Sequence, residues 1–535
     1  MPLALAALAA ILAQAPGDSV PLYDNLGDHH YAVGTRVPLA QRYFDQGLRL
    51  YYAFNHAEAI RAFRQAQRLD PACAMCFWGE ALAWGPNINL PMDSAAGVAA
   101  HQAITAAVAA QHGAEDHERA LIAALATRYA TPPPADRSGL DSAYARAMGD
   151  VARRFPNDPE AAVLHAEALM DLRPWNYWTA EGALQPGMAE ALAQLERARA
   201  KDPRHPGACH FFIHAVEALQ PERAVACAER LAGLMPGAGH LVHMPGHIYI
   251  RVGRYLDAIQ ANQHAVHADE SYIRDQRPGF GIYTAGYYPH NYDFMAFAAA
   301  MAGRSAQAIG AADKLAELAS GETMGEPGMQ FMQHHATRGL QIRVRFARWE
   351  EILAAPAPAP RFPHARAMWQ YARGRANAAT GKVAEAVADL AAVRAAVTDP
   401  SLKGVRLEFN ESPSILRVAA EVLAGRIASA EGRHARAIGH LEEAVRLEDA
   451  LSYGEPPDWT VPVRHDLGAV LLEAGLSAEA ERAFRADLAR FAENGWSLRG
   501  LAGALRAQGR TGEAARVTQQ YRRAWSEADV PLARP

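Results

Sequence analysis

Histidine is the residue type whose spacing in this 535-residue chain most clearly suggests chemistry. There are 22 histidines, and the informative ones crowd between residues 205 and 335. His210 and His214 lie one helical turn apart, and so do His243 and His247, so each pair shares a helix face. Neutral imidazoles with a few hard oxygen donors suit borderline transition metals. The pattern predicts a site for copper, iron or zinc, and the choice among these metals stays open.

The candidate ligands share helical spacing and a donor atom able to bind a metal ion. They are His210, His214, His240, His243, His247, His290, Asp293 and His334. Glu167 and Glu217 are candidate acids that would neutralise the cluster or join it as ligands. Several tyrosines either cover such a site or pack an insertion against the helices: Tyr283, Tyr287, Tyr288 and Tyr292. No catalytic residue is assigned.

Four cysteines form two pairs with different alternatives. Cys73 and Cys76 have a spacing that suits a disulfide, half of a metal site or redox exchange. A redox role would need a βαβ setting, which is not visible, so we rank a structural disulfide first and half of a metal site second. Cys209 and Cys227 are expected on the two helices of one repeat, either buried as small apolar side chains or bridged.

The elements that must position these residues are helices, since apolar residues recur at helical spacing over most of the chain. The stretch from Ala40 to Pro71 contains the pattern of a helix pair. Its small, aromatic and terminal positions are Gly47, Ala59, Phe63, Ala66 and Pro71. The second-helix spacing recurs at Ala191, Leu195, Ala198 and Pro203, and at Ala224, Ala228, Leu231 and Pro236. The separations from Ala224 to Ala258 and from Ala480 to Ala514 are both 34 residues.

These positions resemble the tetratricopeptide-repeat pattern, in which a period of 34 residues marks stacked helix pairs. The resemblance implies an all-α, right-handed superhelical solenoid of antiparallel helix pairs, with ligands held on a concave face lined by the first helices. The runs CAMCFWG, GPNIN and HMPGHIY also resemble exported bacterial tetratricopeptide-repeat proteins, from which no activity carries over.

The repeat register predicts where the histidines point. His240, His290 and His334 each lie eighteen residues before a second-helix anchor, at Ala258, Ala308 and Ile352. His243 and Asp293 lie fifteen residues before the first two anchors. We therefore expect a metal site across three stacked first helices, on the groove that the resemblance implies.

The expected organisation has five parts. They are a signal peptide at 1–15, a leading segment at 16–39, an N-terminal helical-repeat array with the histidine-lined groove at 40–353, a linker at 354–363 and a C-terminal helical-repeat array at 364–535. Insertions interrupt the period at Asp171–Gly187, Ser271–Tyr288 and Gly454–Trp459.

The amino terminus suggests export. An apolar run from Leu3 to Leu12 precedes Ala13, Gln14 and Ala15, a form typical of a signal-peptidase site, with cleavage expected after Ala15. The run is too short to span a bilayer, and no later segment of the sequence is long and apolar enough to do so. We expect a periplasmic or secreted protein without a membrane span.

The composition and motifs of the sequence argue against some partners and leave two classes of function. The net charge of −5 provides no electrostatic footprint for nucleic acid, and no phosphate loop or hydrolase motif is present. The first hypothesis is a metalloprotein with transition-metal ions on the concave face, extending to a metal-dependent oxidoreductase. The second is a non-catalytic tetratricopeptide scaffold whose groove binds a peptide, a protein or a small molecule.

Overall fold

The computed structural model describes residues 20–530. About 69% of the described residues are helical, and the only β-pairing among them consists of isolated bridges, such as Trp178 with Leu184. The predicted all-α class is therefore confirmed. The expected signal peptide and its cleavage site lie outside the described residues. Within residues 20–530, no helix combines the length and apolar character needed to cross a membrane.

The α-helices follow one another with short connections. They are α1 Pro38–Tyr52, α2 His56–Leu69, α3 Ala74–Ala83, α4 Ser94–Ala110, α5 Asp116–Ala126, α6 Ser138–Arg154, α7 Pro159–Asp171, α8 Met188–Lys201, α9 Pro206–Val216, α10 Val225–Leu234, α11 Gly239–His243, α12 Pro245–Arg251, α13 Tyr255–Gln276, α14 Tyr288–Met301, α15 Ser305–Leu318, α16 Phe331–His335, α17 Arg338–Arg345, α18 Trp349–Ala354, α19 Pro363–Ala379, α20 Val383–Val397, α21 Ser412–Ala430, α22 His434–Asp449, α23 Val463–Glu473, α24 Ser477–Arg490, α25 Gly495–Ala507 and α26 Thr511–Ala524.

The pair α1 and α2 shows why the sequence folds into tetratricopeptide-like units. The Asn55 side chain caps α2 by accepting a hydrogen bond from the backbone N–H of Glu58. Phe63 of α2 is fully buried against Gly47 of α1, where a Cβ atom would lie 2.7 Å from the phenyl ring. The small residue in the first helix therefore leaves the space that the aromatic residue of the second helix fills. Extensive packing between consecutive helices repeats along the chain, as in α7 with α8 and α21 with α22.

The chain divides into two compact units. The first unit comprises the described residues up to Ile248 together with Gln263–Tyr288, and the second comprises Tyr249–Asn262 and the residues from Pro289 onward. The stretch at 354–363, expected as a linker between arrays, lies inside the second unit between α18 and α19. Of the expected insertions, 172–187 and 454–459 are irregular, whereas 271–288 is partly helical, because α13 extends to Gln276 and a π-helix spans Tyr283–Tyr287.

Both cysteine pairs are disulfide-bonded, and both lie in the first unit. Cys73 is bonded to Cys76 at the start of α3, which is the arrangement ranked first from the sequence. Cys209 of α9 is bonded to Cys227 of α10, which decides between the two alternatives left open for that pair. The second bridge joins the helix that carries His210 and His214 to its neighbour, so it restrains the position of that helix.

Candidate metal centre

Five of the predicted ligands lie on three helices of the first unit. Every residue of α9 is buried, so His210 and His214 project into an interior without solvent. Pro206 occupies the first turn of α9, and the His205 side chain accepts a hydrogen bond from the N–H of Ala208 as its cap. Helix α11 carries His240 and His243, and α12 carries His247. We call His210, His214, Glu217, His240, His243 and His247 the histidine centre.

The first close pair of imidazoles joins α9 to α11. Nε2 of His240 lies 3.1 Å from Nε2 of His210, and Nδ1 of His210 lies 2.7 Å from the carbonyl oxygen of Tyr52. A carbonyl oxygen can only accept, so Nδ1 of His210 carries the proton and Nε2 presents its lone pair to His240. Orientation of a ligand through its other ring nitrogen is the usual arrangement around metal-binding histidines.

The second close pair repeats this arrangement with a carboxylate in place of the carbonyl. Nε2 of His243 lies 2.9 Å from Nε2 of His247, and Nδ1 of His247 lies 3.0 Å from Oε2 of Glu217, an ion-pair distance without hydrogen-bond geometry. The negative charge of the carboxylate favours a proton on Nδ1 of His247, and in that tautomer the Nε2 lone pair faces His243. Two nitrogens that face each other in this way need a shared proton or a cation between them.

His214 lies between the two pairs. Its Nδ1 is 3.5 Å from Oε2 of Glu217, without hydrogen-bond geometry, and within residues 20–530 its buried Nε2 has no hydrogen-bond partner. Ligand atoms of His210, His214 and His240 all lie within 4.8 Å of one another, and so do those of His214, Glu217 and His247. His214 therefore belongs to two overlapping donor sets.

Electrostatics favour the neutral form of His210 and His240 and the ionised form of Glu217. Burial, and then the neighbouring imidazoles, lower the pKa of His210 and His240 well below 6.5. Burial opposes ionisation of Glu217, but His247 and His214 outweigh it and lower the pKa of this carboxyl to about 2. The ion-pair partners of Glu217 within the described chain are these two imidazoles. The centre thus combines an ionised carboxylate with buried imidazole donors.

Aromatic rings cover the histidine centre. The ring of Phe54 stacks on His240 at 5.2 Å between centroids, Tyr287 lies 4.7 Å from the same imidazole, and Trp175 lies 5.1 Å from His214. Phe54 has a φ of 55°, a left-handed conformation rarely adopted by bulky residues. These rings exclude water, which strengthens electrostatic interactions at the donors.

Two other predicted ligands, Asp293 and His334, lie in the second unit with partners of their own. The carboxylate of Asp293 is paired with Arg338, with Nε to Oδ1 and Nη2 to Oδ2 both at 2.7 Å. His334 contacts Nε2 of His364 through Nδ1 at 3.1 Å and the Asp458 carbonyl oxygen through Nε2 at 2.8 Å. The pair of His334 and His364 thus matches the pair of His210 and His240 in distance. It differs because the guanidinium of Arg338 also donates to the Asp458 carbonyl oxygen, which places a permanent positive charge beside this imidazole pair.

His290 also belongs to the second unit, where its ring packs edge-on against Phe294. The ligand roles of His290, Asp293 and His334, and the site across three first helices, stay predictions.

Glu167 lies outside the histidine centre: it accepts a hydrogen bond from Tyr51, and burial followed by the charge of Asp171 raises its pKa to about 8. Glu217 is the candidate acid that joins the centre.

One cluster in the first unit was not predicted from the sequence. Nε2 of His29 lies 2.6 Å from Oε1 of Glu160, and Nε2 of His205 lies 3.3 Å from the same oxygen. The Tyr52 hydroxyl donates to the other oxygen of Glu160, so three groups surround this carboxylate. The sequence contains one signal that could have indicated this cluster. His205 immediately precedes Pro206, and this order of residues places an imidazole at a helix cap.

No protein-family model matches the sequence, and no curated protein matches it. Among solved structures, the chain is similar to a human IFIT1 dimer with m7Gppp-AAAA, at 11% identity over 95% of this chain and 96% of that chain, with a TM-score of 0.32. It is also similar to the P58(IPK) TPR domain, at 11% identity over 88% of this chain and 99% of that chain, with a TM-score of 0.22. At these TM-scores the likeness supports no conclusion about function.

Proposed function

We propose that this protein binds a transition-metal ion at the histidine centre of its first unit. The observation that carries the proposal is the pair of Nε2-to-Nε2 approaches, at 3.1 and 2.9 Å, around one buried carboxylate. Without a metal ion, one imidazole of each pair can donate its Nε2–H to the lone pair of the other, and a metal ion between them would instead bind both nitrogens. It would also neutralise Glu217, whose burial is otherwise costly.

The donor set favours copper, iron or zinc. Imidazole suits all three ions, whereas magnesium and calcium prefer sites built from oxygen ligands. The contacts at Nδ1 of His210 and His247 would serve as the outer shell that fixes ring orientation. Because His214 belongs to both donor sets, the centre has room for one ion at either set, or for two ions that share this imidazole.

We further propose that the protein works in an oxidising compartment, the periplasm or the extracellular space. Two disulfides in one unit support this, because such bonds persist mainly outside the reducing cytosol. The apolar run from Leu3 to Leu12 supports it independently as a signal for export.

Metal content is the direct test. The protein would be purified from its producing cell without a metal-affinity tag and compared with the His214→Ala and His240→Ala variants by elemental analysis. His440→Ala is the matched control, since this partly exposed histidine pairs with Glu421 away from the centre. We expect bound copper, iron or zinc in the wild type and control, with a loss in both centre variants at unchanged helical content.

A binding scaffold is the second candidate, supported by the array of helix pairs that repeat proteins use to hold peptides. If wild-type protein and all three variants contained equal metal, or none, the metal proposal would be wrong and the scaffold would become the better reading.

A further inference from the structure

A row of aromatic rings leads away from the histidine centre within the first unit. Tyr287 lies 4.7 Å from His240, Tyr283 lies 6.2 Å from Tyr287, and Tyr272 lies 5.1 Å from Tyr283, measured between ring centroids. Each separation falls in the range of about 4.5–7 Å at which aromatic rings pack against each other. All three side chains of the row are phenols, which can lose one electron together with the hydroxyl proton.

The row ends at a cavity of about 300 Å³. Tyr272 and Tyr283 line it together with Tyr23, while Asp24 and Asp275 form an exposed rim that connects it to solvent. The cavity combines aromatic walls with carboxylates at its mouth. That lining suits a small aromatic molecule that is neutral or positively charged, and it disfavours an anion.

The middle tyrosine has a proton acceptor. The hydroxyl of Tyr283 donates to Oδ1 of Asp269 at 2.5 Å, and both side chains are buried. A phenol becomes strongly acidic when it loses an electron, so oxidation is easiest where a base can take the proton at once. Asp269 lies directly against Gly239, the first residue of the helix that carries His240, and a side chain at Gly239 would collide with its carboxylate.

We propose that Tyr272, Tyr283 and Tyr287 form an electron relay from a small electron-rich arene, of the phenol or hydroquinone class, in the cavity to a redox-active metal ion at the histidine centre. This inference rests on the proposed metal-binding function and restricts the working ion to copper or iron. It gives the protein an activity, the one-electron oxidation of an aromatic reductant at a distance from the metal.

One transfer balances as follows. Tyr287 would give one electron to an oxidised ion at the centre, which would change from Cu(II) to Cu(I) or from Fe(III) to Fe(II). Tyr283 would then replace the electron of Tyr287 and pass its hydroxyl proton to Asp269. Tyr272 would in turn replace the electron of Tyr283, which would regain its proton from Asp269. A hydroquinone in the cavity supplies the electron and releases one proton to water, which leaves a semiquinone. A second transfer needs reoxidation of the ion by an external oxidant such as dioxygen.

The test uses the full-length protein loaded with Cu(II) and mixed anaerobically with hydroquinone. The rate of Cu(II) loss is followed by electron paramagnetic resonance after rapid freezing. Tyr283→Phe and Tyr287→Phe retain the packed ring and remove only the oxidisable hydroxyl. Tyr31→Phe is the matched control, because Tyr31 also donates to a carboxylate, Asp158, in the same unit but lies outside the row.

For the relay we expect wild type and Tyr31→Phe to reduce the ion at a rate that saturates with hydroquinone. Both relay variants should show a limiting rate lower by about tenfold or more, with the half-saturating concentration and copper content unchanged. Wild-type limiting rates in Tyr283→Phe and Tyr287→Phe would overturn the relay while leaving the metal site intact. Failure of the wild type to bind copper would instead overturn the proposed function on which the relay rests.

Discussion

The two units each bury a cluster of histidines and acids, and the clusters differ in one respect. In the second unit a guanidinium provides the positive charge, since Arg338 is paired with Asp293 and is fully buried with it. In the first unit Glu217 is surrounded by His214 and His247, neither of which carries a permanent charge. The second cluster is balanced by its own side chains, whereas the first has a buried negative charge that a metal ion would balance.

Proximity of donors does not by itself distinguish the two clusters. Asp293, His335 and Glu408 also place ligand atoms within 4.8 Å of one another. The guanidinium of Arg338 contacts Asp293, however, and would repel a metal cation at this position. The carboxylate of the first cluster therefore has only imidazoles as ion-pair partners within the described chain, whereas a carboxylate of the second is paired with a guanidinium.

The largest effect on stability should follow from removing the guanidinium of Arg338 from the second unit. We expect Arg338→Met to lower the free energy of unfolding by about 3–5 kcal/mol, because Asp293 is left buried without its partner. Urea denaturation checks this value. Arg343→Met is the control: its partner Asp313 is half exposed, so the loss should stay within about 1 kcal/mol. A small loss in Arg338→Met would show that the second cluster is not balanced by this ion pair.

The next effect is stabilisation of the first unit's cluster by metal. Copper or zinc at about one hundred times its dissociation constant should raise the free energy of unfolding by about 2.7 kcal/mol, since binding to the folded state alone shifts the equilibrium. Chelation should reverse the gain. His214→Ala should abolish it, because His214 belongs to both donor sets. An undiminished gain in that variant would place the bound ion elsewhere.

His240 of the first cluster and His335 of the second should also respond to pH with opposite signs. Burial and neighbouring imidazoles lower the pKa of His210 and His240 in the folded state, so the unfolded chain binds more protons as the pH falls below about 6.5. The contribution of these two histidines to the stability of the metal-free protein is therefore complete above that pH and should be lost as the pH falls below it. Although burial opposes protonation of His335, Glu408 raises its pKa above 6.5, so its contribution is complete below that pH and is lost as the pH rises through the folded value.

Unfolding of the metal-free protein from pH 5 to 8 tests these signs. His240→Gln should flatten the acid side of the stability profile, and His335→Gln should flatten the alkaline side. If both variants changed the same side, the charge states assigned to the two clusters would be wrong. Metal binding itself should weaken below about pH 6, where a proton competes with the ion for each imidazole.

The helices, and the positions of five predicted ligands on them, could be predicted from sequence because both depend on local spacing. Gly47 and Phe63 reveal the helix pair, and the one-turn spacing of His210 with His214 survives folding because α9 is regular. The partners of Asp293 and His334 could not be found in this way. Their partners Arg338 and Asp458 are 45 and 124 residues away in sequence, and repeat register says nothing about which side chain closes such a distance.

The cluster around Glu160 escaped detection for the same reason. His29 belongs to a leading segment without repeat register and lies 131 residues from Glu160 in sequence. The eighteen-residue offset also treats its three histidines as equivalent. His240 and His334 each face another imidazole, but Nε2 of His334 shares the Asp458 carbonyl oxygen with the guanidinium of Arg338. Register predicts which helix face a residue occupies, but the neighbours on that face decide its chemistry.

The smallest effect should come from a matched exchange of histidine for glutamine in the second unit. Nδ1 of His364 lies 2.8 Å from the Ser412 hydroxyl, and Nε2 lies 3.1 Å from His334. Burial lowers the pKa of His364 to about 3, so it is neutral and acts only as a hydrogen-bonding group. A glutamine amide both donates and accepts, so His364→Gln should cost about 1 kcal/mol and leave the metal content unchanged.

The same exchange at His240 should remove metal from the first unit, since an amide is a poor substitute for an imidazole donor. Elemental analysis and urea denaturation of His364→Gln beside His240→Gln therefore compare one chemical change in two buried clusters. Equal metal loss in both variants would contradict the distinction between them, because it would show that the imidazoles of the second unit also hold the ion despite the charge of Arg338.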